Sequence, residues 1–251
     1  MRALRRTCGA VLAAGLAYAA GWAGMRETAD PRFALQTIAV SGARRTGALQ
    51  VISAAALPRG QNIWLLRVGP AEARIRALPW ILAVTISRGW PNRVSISVSE
   101  RVPVARIVLA PSQTAEEPVA RYALIDSSLR VLALEDASPS APSAALPAIA
   151  ISPTPGIDWR AGTYAGGAAA QALLALRRLS SLGVRATRVA VAPATGISIT
   201  LDGKGDVLFG TLDDFAKKVA LVQTIAPRIN HPERVVYIDV RSVRAPTVLY
   251  R

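Results

Sequence analysis

Arg88-Gly89-Trp90-Pro91-Asn92-Arg93-Val94-Ser95-Ile96-Ser97-Val98-Ser99-Glu100-Arg101-Val102-Pro103-Val104-Ala105 is the stretch that decides how this 251-residue chain is read. Val94, Ile96 and Val98 alternate with Ser95, Ser97 and Ser99. One face is apolar and the other carries hydroxyls, the pattern of a strand buried on one side. Val84 and Ile86 alternate with Thr85 and Ser87 in the same way, and Gly89-Trp90-Pro91-Asn92 between the runs has turn chemistry. The two runs predict a β-hairpin.

Working outward, Phe33 to Ser41 reads as a strand ended by Gly42, with Leu35 out of phase with Ile38 and Val40. Thr46 is placed to cap a helix carrying Leu49, Ile52, Ala56 and Leu57 on one side, stopped by Pro58-Arg59-Gly60. After the apolar run Ile63 to Leu66, Gly69-Pro70 opens a second helix with Pro at its first position, burying Ile75 and Leu78. Pro79-Trp80 ends it. Strand, helix, helix, strand, strand lets two helices cover one face of a three-stranded sheet, a small α+β unit over residues 33–104.

The ordered set Ile38-x-Val40-x-Gly42, Gly60-x-Asn62-Ile63-Trp64, Leu78-Pro79-Trp80, Arg88-x-x-Pro91-Asn92 and Glu100-Arg101-x-Pro103-Val104-Ala105 resembles a POTRA domain. In particular it resembles that of the FtsQ/DivIB family of bacterial cell-division proteins. The residues of this set are read as fold-setting, not catalytic.

Residues 105–251 predict a mainly antiparallel β-domain with two helices. Strands are expected at 104–109, 119–125, 131–134, 148–151, 188–192, 197–201, 207–209, 235–240 and 247–251, with loops over 110–118 and 135–147. An Ala-rich helix runs from Ala168 to Leu182, with Leu173, Leu176 and Leu179 on one side and Gly183 closing it. Thr211-x-x-Asp214 reads as a variant capping box before a helix carrying Leu212, Phe215, Val219, Val222 and Ile225. Leu124-Ile125-Asp126, Leu146-Pro147, Val207-x-Phe209-Gly210 with Lys217-Lys218, and Tyr237-Ile238-Asp239-Val240-Arg241 are similar to segments of the same family's β-domain.

At the amino terminus, Arg2, Arg5 and Arg6 precede Gly9–Met25, a run of 17 residues without a charge. As a helix it is about 25 Å long, near the short end for a membrane span. Residues 1–8 are therefore expected as a cytoplasmic tail and 9–25 as a transmembrane anchor, with residues 30–251 outside the cytoplasm. The same form fits a cleaved signal peptide, with Ala17-Tyr18-Ala19 supplying small residues; either reading exports the rest.

Composition narrows the chemistry. One Cys excludes a disulfide framework, and one His, His231, leaves no partner for a His-based metal site. Asp213 and Asp214 stand at a helix start, and Asp202 and Asp206 flank a Gly-rich turn that lacks the ligands of a calcium loop. No catalytic constellation, cofactor motif or metal set is found, and the chain reads as non-enzymatic. The net charge is +14, but only three of the 30 cations are Lys, so biased composition accounts for it without a specific nucleic acid. The charge is uneven: residues 31–104 carry ten Arg against Glu72 and Glu100, net +8, a basic surface suited to anionic lipid or another polyanion.

Binding is the remaining reading. The last strand, Thr247 to Tyr250, is expected at a sheet edge, where it can accept another chain by backbone pairing. The family resemblance implies a single-pass divisome scaffold of the inner membrane at the division site. It implies that Ser242, Val243, Arg244, Thr247, Val248, Leu249 and Tyr250 contact an FtsB–FtsL-like bitopic partner, and that the POTRA unit meets other division membrane proteins. The competing readings are a POTRA-type export or assembly factor, a cell-wall enzyme and a basic envelope polyanion binder.

Overall fold

The computed structural model describes residues 30–109, 121–136, 141–152, 159–201, 205–229, 231 and 234–251. The expected tail and anchor over residues 1–25 and the loop 110–118 lie outside the described residues. Among the described residues no helix is long and apolar enough to cross a membrane. The chain divides into two units, through Glu100 and from Arg101 onward.

In the first unit, β1 (Thr37–Ser41), α1 (Ala48–Ala55), α2 (Val68–Ala77), β2 (Ile81–Gly89) and β3 (Arg93–Glu100) follow the expected order. The sheet order is β1-β3-β2, with β1 parallel and β2 antiparallel to β3. The hairpin register pairs Val84 with Val98 and Ile86 with Ile96, so the alternating apolar residues share the buried face under both helices. Glu100 at the end of β3 accepts the backbone N–H groups of Arg44, Arg45 and Thr46 at 2.8 to 3.1 Å. Burial pushes its pKa up, but those donors outweigh burial and hold the carboxyl below its ordinary value.

Four expectations change here. The chain from Pro31 to Phe33 is a 3-10 turn, and the strand begins only at Thr37. Leu35 sits before the strand and is fully buried, its N–H bonded to Gln61 O, which is why its phase did not match Ile38 and Val40. Thr46 does not cap α1: Gly47 holds that position with no side-chain bond, because the Thr46 backbone is drawn to Glu100. The buried face of α1 is Val51 and Ala55, while Leu49 is 83% exposed. Arg74 of α2 donates to Ala54 O and Ala55 O and seats that face against its neighbour. Finally, α2 starts at Val68, which places Pro70 third in the helix, where its missing N–H still forfeits no intrahelical bond.

The second unit is a nine-stranded sheet in the order β12-β11-β10-β9-β8-β7-β4-β5-β6. The strands are β4 (Pro103–Leu109), β5 (Arg121–Asp126), β6 (Val131–Asp136), β7 (Ala148–Ile151), β8 (Ala186–Ala192), β9 (Gly196–Leu201), β10 (Gly205–Gly210), β11 (Val235–Asp239) and β12 (Thr247–Tyr250). Five of the eight pairings are antiparallel, and β4–β7, β7–β8 and β10–β11 are parallel. Two helices, α3 (Gly167–Ser181) and α4 (Phe215–Ile225), pack on it. Ala169, Ala172 and Ala175 of α3 are buried beside Leu179, so small side chains let the helix lie close to the sheet.

Two segments depart from expectation. β6 continues to Asp136 and a 3-10 turn fills Pro142–Ala145, so the expected loop over 135–147 is shorter than its composition suggests. The Thr211-x-x-Asp214 box does not form. Thr211 donates to Asp213 at 2.8 Å, and Asp214, with a positive φ, bonds Lys217 at 2.8 Å. Lys218 is buried and donates to Phe209 O and Thr211 O, so it replaces the missing cap as the tie between β10 and α4.

Arg101 and Asp126 form a buried ion pair at 2.6 Å, and Asp126 also accepts from Ser128 and from the Arg130 N–H. Burial raises the Asp126 pKa, yet the bonds from Ser128, Arg101 and Arg130 outweigh it and leave the carboxyl below its ordinary value. A lowered folded value means that this stabilisation is complete above the unfolded pKa of about 3.9. It is lost as pH falls through the folded value. Arg101→Ala removes the cation while the Ser128 and Arg130 bonds to Asp126 remain, and is expected to destabilise the second unit by about 1.5–3 kcal/mol in urea denaturation at pH 7. Near pH 2 the difference from the parent chain should shrink; a constant difference across that range would contradict the pairing. In the first unit, Gly42 has φ +84°, and a Cβ there would lie 1.9 Å from Val98 O. Gly42→Ala is expected to lower the stability of that unit by at least about 1–3 kcal/mol, read from the same titration.

Candidate functional site

β11 is flanked by β10 on one side and β12 on the other, and β12 ends the sheet. The Val240 N–H bonds Leu208 O of β10. Residues of a strand alternate between neighbours, so Tyr237 and Asp239 turn their backbone groups toward β12. Their register partners are Leu249 and Thr247. The ladder is continued by the Arg251 N–H bonding Arg234 O at 2.8 Å. The alternation therefore leaves the N–H and C=O of Val248 and Tyr250 facing away from the sheet. Among the described residues no group pairs with them.

Two other edges carry devices that block pairing. In the first unit, the Ile86 N–H of edge strand β2 donates to Glu72 of α2 at 3.0 Å. At the far end of the large sheet, Val131 of β6 bonds Thr163 O at 2.8 Å and accepts from Gly162 N–H at 2.7 Å, so the segment 162–165 lies along that rim. β12 has neither. Its four residues are uncharged and β-favouring, whereas natural edges are commonly blunted by charge or Pro. Only Pro246 and Arg251 bracket it.

The side chains sort by face. Val248 pairs with Ile238 and packs against the core. Leu249 and Tyr250 are 45% and 49% exposed. Ser242, Val243 and Arg244 belong to the turn between β11 and β12, with Ser242 and Arg244 exposed and Val243 half-buried. Asp239 and Arg241 shape that turn: the guanidinium donates three bonds to the carboxylate, at 3.1, 3.0 and 2.7 Å, and holds the Asp239 pKa below its ordinary range. The seven residues from Ser242 to Tyr250 expected from the sequence thus fall on one turn and one edge. Sequence reading missed Val236, the extra residue of a bulge opposite Tyr250 and Leu249, which is also exposed. The run Val235-Val236-Tyr237 offers no signal of a bulge, because all three side chains suit a strand.

Of the acidic residues considered for catalysis, Asp202 lies outside the described residues and the other three are engaged locally. Asp206 accepts from Thr200, Asp213 from Thr211, and Asp214 pairs with Lys217. A cleft of about 670 Å³ beside the start of α3 is lined by Ser152, Gln171, Thr211 and small or apolar residues, with no ionisable side chain.

Comparison with known proteins bears on the first unit. A family model described as POTRA domain, FtsQ-type, matches residues 33–101. The chain carries an FtsQ-type POTRA domain. It is 41% identical over 91 residues to the cell division protein FtsQ of Myxococcus fulvus, covering 36% of this chain and 32% of that protein. It is 31% identical over 77 residues to FtsQ of Corynebacterium glutamicum, covering 31% and 35%. With FtsQ of Haemophilus influenzae it shares 44% identity over 45 residues, 18% of each chain. The matched stretches thus span about a third or less of these relatives' length.

The backbone parity of β12 is directly measurable. In amide hydrogen exchange, Val248 and Tyr250 are expected to exchange about as fast as exposed loop amides, while Leu249 between them is protected. Equal protection at all three positions would show that the rim is covered.

Proposed function

We propose that this chain is a non-enzymatic, membrane-anchored scaffold of bacterial cell division that recruits a second polypeptide along β12. The FtsQ-type POTRA domain and the FtsQ relatives support the division role. The observation that carries the mechanism is the uncovered edge: two N–H and two C=O groups, at Val248 and Tyr250, face outward beside an exposed aromatic. An incoming strand supplies the missing bonds, and its side chains meet Leu249 and Tyr250. Arg244 and Arg251 flank the edge and favour a partner with acidic residues beside its strand. An FtsB–FtsL-like bitopic pair is the partner of this reading, with the anchor holding the exported units at the inner membrane of the division site. The POTRA unit then meets other division membrane proteins.

The parts of the mechanism separate by substitution at one exposed position. Tyr250→Ala removes the aromatic and keeps the outward N–H; about a tenfold loss of affinity for the FtsB-like partner is expected, near 1.4 kcal/mol. Tyr250→Pro also removes the N–H, which Pro on an edge strand tolerates, and is expected to abolish binding. Melting temperatures should stay within about 2 °C of the parent for both. Undiminished calorimetric binding by the two variants would end the edge-pairing mechanism. Val248 is a poorer choice than its position suggests, since its side chain belongs to the core.

A further inference from the structure

Three segments of the POTRA unit are tied together at one end. Residues 33–35 bond the loop 60–63: Ile63 N–H to Phe33 O at 2.9 Å, Leu35 N–H to Gln61 O at 2.8 Å, and Gly60 N–H to Leu35 O at 3.0 Å. The hairpin tip joins them, with Gln36 N–H bonding Asn92 O at 2.9 Å and Arg88 donating to Ile63 O and Leu66 O. Trp90, at the tip, lines a cleft of about 540 Å³ together with Pro31, Phe33 and Pro91.

This end exposes what proteins usually bury. Trp90 is 76% and Trp64 58% exposed, and Leu65 beside it is exposed as well. They are two of only five tryptophans in the chain. Close to them in sequence Arg59, Arg67 and Arg93 are exposed, and among the described residues the acidic residue of the region, Asp30, is engaged by Arg32. Tryptophan beside arginine suits the boundary between hydrocarbon and water, where a ring with one polar edge and a cation for lipid phosphate both find partners.

The covalent chain fixes which boundary this is. The uncharged run Gly9–Met25 ends five residues before Asp30. Five residues reach at most about 18 Å. With that run in a bilayer, the tied end is held within reach of the headgroup layer. We propose that this end of the POTRA unit is a membrane-surface contact, in which Trp90 and Trp64 seat among the headgroups and Arg59, Arg67 and Arg93 bind anionic lipid. It rests on the amino-terminal run lying in the bilayer and is independent of the pairing at β12.

The test uses the full chain reconstituted in phosphatidylcholine–phosphatidylglycerol bilayers whose acyl chains carry bromine near the headgroups. Bromine quenches only nearby tryptophan, and Trp22, inside the amino-terminal run, reports insertion. In the parent chain Trp64 and Trp90 should add a bromine-quenched component to that of Trp22. W64F and W90F should each remove part of it. Replacing phosphatidylglycerol by phosphatidylcholine, or raising salt from ~0.05 to ~0.5 M, should reduce it at least about twofold. Both side chains are exposed, so unchanged circular dichroism melting is expected. Quenching of Trp22 with none from Trp64 or Trp90 overturns the proposal and leaves the rim to a protein partner; absence of quenching from Trp22 removes its premise and overturns it equally.

Discussion

A strand with one neighbour leaves every second residue's N–H and C=O without a ladder partner, and the candidate site depends on this constraint. Which residues those are is settled two strands away. The parallel β10–β11 pairing commits Val240 to β10, which turns Tyr237 and Asp239 toward β12 and so turns Val248 and Tyr250 outward. Slipping β12 by one residue would exchange the roles: Val248 would leave the core and Leu249 would enter it. The packing of Val248 against the core therefore fixes which backbone groups are offered to a partner. On the proposed pairing, specificity at this edge is in part a consequence of core packing.

Much of the architecture was legible because alternation is a local signal. Val94, Ile96 and Val98 gave the hairpin, and their register with Val84 and Ile86 followed from the turn between them. The edge position of β12 had a signal too, since Pro246 before it cannot donate to a ladder and is confined to edges or strand starts. Capping was not legible at Thr46 or Thr211. A hydroxyl before a helix predicts a cap only when nothing else competes for the local backbone, and here Glu100, 54 residues away in sequence, takes the Thr46 N–H. The exposed Leu49 fails for a related reason. In an eight-residue helix the buried face is chosen by the neighbour, and Arg74 makes that choice from α2.

Long-range polar ties explain residues that composition marks only as charge. Glu100 and Arg101 are adjacent, yet Glu100 binds three backbone N–H groups of the first unit and Arg101 pairs with Asp126 in the second. The division between units falls between them, so each charge fixes the edge of its own fold. Lys218 plays a comparable part, joining two carbonyls on either side of Gly210 from inside the core. Buried charge of this kind is poorly replaced: a neutral side chain at position 218 would leave both carbonyls without their donor. The basic excess of the chain is thus partly internal wiring.

The two proposed surfaces rest on different forces, and so differ in how they should respond to ionic strength. At β12 the proposed interaction centres on backbone pairing around an aromatic, with salt acting on its rim through Arg244 and Arg251. At the tied end of the POTRA unit, Arg59, Arg67 and Arg93 act at long range on headgroup charge, and screening beyond about 8 Å at physiological salt weakens them directly. On the proposed reading, added salt weakens the lipid contact more than the strand pairing at β12. Neither proposed surface needs a group that breaks or forms a covalent bond: one offers backbone groups of β12, the other aromatic and cationic side chains of the POTRA unit.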